Sequence, residues 1–286
     1  MDKTLVYEIG IDEAGRGPVL GSMIYGGAIW PEGFENNTII KQSALNDSKK
    51  LTEEERDQLM LMLKGLKLKN KMDYHTIDLD PKTLSSTMMG DNGISLNDVS
   101  HNAAIKIIHH FLSLGVKIST VYVDVVGPQE RYQNLLETVF KGKGLKFVVE
   151  KKADAKFKVV SAASIVAKTL RDRILREWKF EENVEIDSDF GCGYPSDPLT
   201  KSWLQRNCDH VFGLPTLVRY SWKTCEHVLE QKCVPFKFLD NELEIDSDKL
   251  RQYSVDVPKS FKSSINKYDL YMDFKDTFGT EKDFVL

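Results

Sequence analysis

Cysteine is scarce in this chain of 286 residues: Cys192, Cys208, Cys225 and Cys233 are all it has, and no two form a C-x-x-C pair. A dense disulfide framework is thereby excluded, and reduced thiols are the expectation. Cys208-x-His210 and Cys225-x-His227 bring thiol and imidazole close in sequence. That spacing is unusual for a structural zinc site, so they are read as incidental helix residues. Long hydrophobic runs are also missing. No stretch is apolar enough to read as a transmembrane helix, and Met1-Asp2-Lys3 lacks the charged-then-apolar layout of a secretory signal, so a soluble intracellular protein is expected. Internal repeats and low-complexity tracts are absent. A net excess of one charge is absent too, if residues 1–239 are taken together. Residues 240–286 hold eleven acidic and seven basic side chains, whereas residues 1–239 carry 32 of each. The tail therefore carries the whole net charge of −4.

What remains is enough for one large domain, or for a domain of about 200 residues plus an extension. The pattern alternates strand with helix. Leu5 to Ile11 and Ser22 to Trp30 read as a pair of strands joined by a Gly-Arg-Gly-Pro turn. Thr52 and Glu55 make a capping box that opens a helix to about Lys64. Ser95 to Leu114 places Val99, Ala103, Ile107 and Phe111 on one face and stops at Gly115. Further helices are predicted over 131–140 and 161–178, and from Asp197-Pro198 onward. After Phe238 the periodicity is lost, which suits a tail ordered only against a partner.

The apolar run ending in Ile9-Gly10-Ile11 delivers Asp12-Glu13-Ala14-Gly15-Arg16-Gly17-Pro18. Adjacent carboxylates at the end of a buried strand repel and resist ionisation unless a cation or donors compensate, and a divalent metal is the simplest compensator. Glycines beside them let a backbone approach a ligand closely. Two more aspartates share this setting. The strand-like Ser119-Thr120-Val121-Tyr122-Val123 ends in Asp124, and Phe147-Val148-Val149-Glu150 leads to Asp154. Carboxylates at strand ends can converge on one sheet edge, where α/β proteins place their sites. Residues 141–176 carry eleven Lys and Arg against three acidic residues, a local excess suited to a polyanion beside Asp154.

A nucleotide-binding loop is the first rival reading, since Gly10 and Gly15 have Walker spacing and Gly15-x-Gly17 begins a dinucleotide fingerprint. Both fail in detail: Arg16 stands where lysine belongs, Gly17 replaces the Ser or Thr, and Leu20 replaces the last glycine. A noncatalytic nucleic-acid-binding subunit is the second rival, and the intact set of carboxylates argues against it.

In order and spacing, Asp12-Glu13-Ala14-Gly15-Arg16-Gly17-Pro18, Asp47-Ser48-Lys49-Lys50-Leu51, Tyr122-Val123-Asp124, Lys152-Ala153-Asp154 before Ser161-Ala162-Ala163-Ser164, and Gly193-Tyr194-Pro195-Ser196-Asp197 resemble the type 2 ribonuclease H family. The last motif and Arg219-Tyr220-Ser221-Trp222-Lys223-Thr224 most resemble the catalytic subunit of eukaryotic members. The resemblance implies an α/β, RNase H-like fold, with a mixed central β-sheet flanked by helices over residues 1–180. A smaller helical C-terminal region over 181–238 would complete a substrate cleft, and the acidic tail over 239–286 would be partly ordered or partner-bound. It also implies hydrolysis of RNA in RNA/DNA hybrids and cleavage 5′ of single ribonucleotides in duplex DNA, in ribonucleotide repair and primer removal. Asp12, Glu13, Asp124 and Asp154 would be the acidic tetrad, holding two Mg2+ or Mn2+ ions about 4 Å apart and leaving 3′-hydroxyl and 5′-phosphate ends. Gly15, Arg16 and Gly17 would read the 2′-hydroxyl, and Tyr194 would pack on the nucleotide after the ribonucleotide. Lys49 is a candidate phosphate contact. Two accessory subunits and a nuclear location are carried over on the same ground.

Overall fold

The computed structural model describes residues 1–43, 45, 51–90, 93–182 and 185–235. Lys49, with its Asp47-Ser48-Lys49-Lys50 motif, and the tail from 239 onward lie outside these residues. β-Branched and apolar residues interleaved with glycine build the central strand β1 (Val6–Ala14), which pairs antiparallel with β2 (Met23–Pro31). β3 (Asp73–Leu79) adds antiparallel to β2, while β4 (Lys117–Asp124) runs parallel to β1 and β5 (Lys146–Glu150) parallel to β4. The result is a mixed five-stranded sheet in the order β3-β2-β1-β4-β5.

Between the strands lie a 3-10 turn at Phe34–Asn36, α1 (Thr38–Gln42), α2 (Glu53–Leu68), α3 (Pro81–Met89), α4 (Leu96–Ser113), α5 (Gln129–Val139), α6 (Ala153–Lys156) and α7 (Lys158–Arg176). The glycines of β1 and β2 show how α4 and α7 take opposite faces of the sheet. A Cβ on Gly10 would stand 2.3 Å from the Val159 backbone, and one on Gly26 2.4 Å from the Ala163 carbonyl, so α7 lies directly on the sheet backbone. On the next residue of β2 a Cβ at Gly27 would instead meet Ile107 at 2.3 Å and Phe111 at 2.9 Å, both on α4. Successive strand residues point to opposite faces, which fixes the two layers. α2 packs Leu59, Leu63 and Leu66 into the same core as Val159, Ala162 and Val166 of α7.

Beyond α7, α8 (Pro198–Arg206) and α9 (Lys223–Lys232) bury Trp203, Leu204, Cys225 and Val228 in a second core with Leu217 and Val218. That core also takes in Val19 and Leu20, the residues that follow the glycine-rich turn. Residues Met1–Cys233 form one compact unit.

The expected capping box at Thr52 and Glu55 is present, and α2 runs past Lys64 to Leu68. α7 begins three residues before Ser161, at Lys158. β3 and α3 have no counterpart in the sequence reading, because β3 is a half-buried edge strand whose Asp73-Tyr74-His75-Thr76 carries no apolar run. β1 does not end at Ile11. It continues through the acidic pair to Ala14, because Asp12 and Glu13 stay in register with Gly26 and Tyr25 of β2.

Candidate active site

Strand pairing brings the carboxylates together. Ile11 is level with Val123, the last pair of the parallel β1–β4 ladder, so Asp12 and Asp124 follow side by side just beyond it. Asp124 Oδ1 accepts the Ala153 N–H at 2.9 Å, which ties the end of β4 to the first turn of α6 and so places the neighbouring Asp154. The chain reaches that turn through Lys152, whose φ of 56° is left-handed, an uncommon state for a residue with a side chain. Asp12 is 5% exposed and Asp154 3%.

Burial first, and then the charges of Asp124 and Asp154, push the Asp12 carboxyl up to about 7. A hydrogen bond with Ser164 of α7 and the Glu13 N–H, 2.8 Å from Oδ1, pull the other way. Glu13, partly open to solvent, is also raised, first by desolvation and then by Asp12 and Asp124, with Arg16 opposing. Among the described residues no three Asp, Glu, His or Cys side chains stand at coordinating spacing. The four carboxylates nevertheless act on one another electrostatically. They offer only hard oxygen donors, a set suited to Mg2+ or Mn2+ and not to thiophilic metals. His101 is nearby but engaged, with Nε2 3.2 Å from the Val126 carbonyl and its ring stacked on Tyr132.

This arrangement has a sign that can be measured. Unfolded Asp and Glu titrate near about 4, so between there and about 7 the folded protein holds the extra proton of Asp12 and its stability falls as pH rises. The melting temperature of the metal-free protein is therefore expected to drop between pH 5 and 8. Asp124→Asn, which removes a charge that raises both Asp12 and Glu13, should flatten that drop. Parallel pH profiles for the two proteins would show that the carboxylates do not repel as described.

The turn after β1 is fixed by the second core. Val19 N–H donates to the Gly193 carbonyl at 2.8 Å, Gly21 N–H to Leu217 at 2.8 Å, and Arg219 N–H to Val19 at 2.9 Å. Gly15 adopts φ 79°, and a Cβ there would lie 2.3 Å from Arg171 Nε and 2.7 Å from the Ser22 carbonyl. Tyr194, 46% exposed, lies over Gly17, where a Cβ would come within 3.1 Å of its ring. It is thus no core aromatic. The Arg16 guanidinium turns away to the start of α4, donating to Asn97 Oδ1, Ser100 Oγ and the Leu96 carbonyl. The Arg16 side chain therefore acts as an anchor of the turn on α4.

Two residues escaped the sequence reading. Arg219, fully buried, donates from Nε to the Gly21 carbonyl at 2.6 Å and from Nη1 to the Arg16 carbonyl at 3.4 Å, bracketing the turn. Burial, and next the charge of Arg171, lower it to about 9. Arg219 Nη2 and Arg171 Nε and Nη2 have no hydrogen-bond partner among the described residues, although Arg171 Nη1 is 3.6 Å from Asp172. The only sequence signal was the Arg219-Tyr220-Ser221-Trp222 motif, which carried no assigned role. The basic stretch 141–176 divides in the fold. Lys151 and Lys152 are exposed beside Asp154, whereas Arg173 pairs with Glu177 at 3.2 Å and Arg176 with Glu53 at 2.8 Å.

A model of the family described as Ribonuclease HII matches residues 9–225, a span that contains every carboxylate, the glycine turn and Tyr194. The chain belongs to the ribonuclease HII family. The A subunit of ribonuclease H2 from Dictyostelium discoideum is 40% identical over 283 residues, covering 96% of this chain and 92% of that protein. The crystal structure of ribonuclease H2 from Pyrococcus horikoshii superposes with a TM-score of 0.62 at 32% identity, over 79% of this chain and 98% of that one. Bst-RNase HIII in complex with Mn2+ shares the fold at 15% identity, with a TM-score of 0.58 over 79% of this chain and 70% of its own. The mixed sheet with flanking helices is therefore the RNase H-like fold, and the chain is a ribonuclease H, a hydrolase acting on RNA paired with DNA. Among the described residues no helix is long and apolar enough to cross a membrane.

Proposed function

We propose that this chain is the catalytic subunit of a ribonuclease H2 that cuts the RNA strand of RNA/DNA hybrids and also cuts 5′ of single ribonucleotides in duplex DNA. The observation that carries the reading is the glycine turn, pinned at both ends beside Asp12 and Glu13 on β1, Asp124 at the end of β4 and Asp154 on α6. Asp12, Glu13, Asp124 and Asp154 are the residues that would hold two Mg2+ or Mn2+ ions, and Mn2+ is the ion in the complex of the RNase HIII relative. Ions held by these four residues would supply an activated water and charge neutralisation at the leaving 3′-oxygen, for which 3′-hydroxyl and 5′-phosphate ends are expected.

The chain's own residues supply position and discrimination. Ser164 and the Glu13 N–H orient Asp12, and Asp124 is oriented by Ala153. A 2′-hydroxyl both donates and accepts hydrogen bonds, and a backbone without Cβ atoms can meet both needs at short range. Because Arg16 is held on α4, that reading falls to the backbone of Gly15-Arg16-Gly17. The unpartnered donors of Arg171 and Arg219 behind the turn favour a polyanion on this side of the fold. Lys49 is retained as a phosphate contact. That the relatives are named as one lettered subunit of ribonuclease H2 supports assembly with accessory subunits, two of them by resemblance to the eukaryotic enzyme, with the tail 239–286 bound to a partner. On the same basis the work is ribonucleotide repair and RNA primer removal in the nucleus.

Incubation of the purified protein with Mg2+ on a duplex containing one ribonucleotide should give a nick on its 5′ side. An all-DNA duplex should stay intact. Tyr194→Ala should slow cleavage at the lone ribonucleotide by about tenfold or more, since an aromatic–base contact is worth about 1–3 kcal/mol. It should leave the melting temperature nearly unchanged, because the ring is half exposed. Equal rates for variant and parent would remove Tyr194 from substrate recognition.

A further inference from the structure

Cys208 and Cys233 follow α8 and α9 respectively, yet their Sγ atoms stand 3.7 Å apart. Nearby, His210 donates from Nδ1–H to the Lys232 carbonyl at 2.6 Å. Asp209 and Gly213 exchange backbone hydrogen bonds of 2.8 and 3.1 Å, and Asp209 Oδ1 accepts from the N–H groups of Val211 and Phe212 at 2.7 and 2.8 Å. The His210–Lys232 bond joins the two segments without either thiol, the Asp209 bonds shape the loop after Cys208, and Cys233 Sγ lies 3.3 Å from the Asp209 carbonyl. Both are partly exposed, whereas Cys225 is buried and bonded to the Arg219 carbonyl. A disulfide needs the sulfurs to close to about 2.05 Å, within reach of side-chain rotation.

We propose that Cys208 and Cys233 form a reversible disulfide that staples the end of α9 to the loop after α8. Cys233 is the last residue of the compact unit Met1–Cys233, so the bond would fasten that unit's last residue to the loop after α8. The oxidant is a low-molecular-weight disulfide such as glutathione disulfide. The Cys233 thiolate attacks one of its sulfurs, forming a mixed disulfide and releasing one glutathione thiolate. Cys208 then gives up its proton and attacks Cys233 Sγ, releasing the second glutathione. Two protein thiols become one disulfide, and one glutathione disulfide becomes two glutathione thiols. Burial, and next the hydrogen bond with Cys233, push the Cys208 thiol up to about 11, so the closing step is slow and the end point is the quantity to read.

The full chain is equilibrated in glutathione buffers of increasing disulfide fraction, quenched with N-ethylmaleimide and mapped by peptide mass. The expected product is an intrachain cross-link joining the Cys208 and Cys233 peptides, two hydrogens lighter than the dithiol. Its melting temperature should be several degrees higher than that of the reduced protein, and dithiothreitol should reverse the change. Cys208→Ser should stop at a mixed disulfide on Cys233 and show no stabilisation. Both thiols alkylated at a poise that oxidises thioredoxin would overturn the proposal. So would a cross-link that runs through Cys192 or Cys225, or between two chains. The mapping is made on the parent protein and decides the matter whether or not the variant folds.

Discussion

Asp124→Asn is expected to reduce hydrolysis of an RNA/DNA hybrid at saturating Mg2+ by at least about a thousandfold, roughly 4 kcal/mol of barrier. The substitution removes one negative charge and almost no volume. The amide oxygen of asparagine can still accept the Ala153 N–H that Asp124 takes at 2.9 Å, so the link from β4 to α6 and the position of Asp154 should persist. Folding should therefore survive, and relief of repulsion on Asp12 and Glu13 should even raise the melting temperature near pH 8. The discriminating result is loss of turnover together with unchanged or greater stability. Single-turnover cleavage within tenfold of the parent would remove Asp124 from the chemistry. Loss of both activity and fold would make it a structural residue.

Gly15→Ala should cost about a hundredfold or more on a lone ribonucleotide without touching a carboxylate. The left-handed backbone at φ 79° is itself unfavourable for alanine by about 1–2 kcal/mol. The new methyl would also stand 2.3 Å from Arg171 Nε and 2.7 Å from the Ser22 carbonyl. Arg171 can swing aside, but the Ser22 backbone is part of the chain entering β2, so the turn must shift. A displacement of about 1 Å in a positioning element can cost a hundredfold in rate. Because the acids are untouched, the protonation-linked fall in stability with pH should match that of the parent. A variant that discriminates a ribonucleotide from DNA as well as the parent would show that the turn does not read the sugar.

Much of the fold was legible because its elements carry local signals. The capping box at Thr52, the apolar face from Val99 to Phe111 and the apolar approach to Asp12 and Asp124 each depend on residues close in sequence. β3 was not legible, since an edge strand with partly wet faces needs no apolar alternation. The anchorage of the Arg16 side chain on α4 was not legible either. Its partners Asn97 and Ser100 lie eighty-one and eighty-four residues away, and no local pattern announces a bond of that span.

The sequence by itself determined the chemistry available: which residues carry carboxylates, where glycine frees the backbone, and that no thiol or imidazole enters the acidic motifs. Tertiary structure alone decided how these meet. The parallel pairing of β1 with β4 sets Asp12 beside Asp124, and Arg219, some two hundred residues beyond the turn, holds its carbonyls in place. The reason is physical. Residue type and local propensity are properties of neighbouring residues, whereas burial, carboxylate repulsion and the partners of a guanidinium exist only once distant segments have packed.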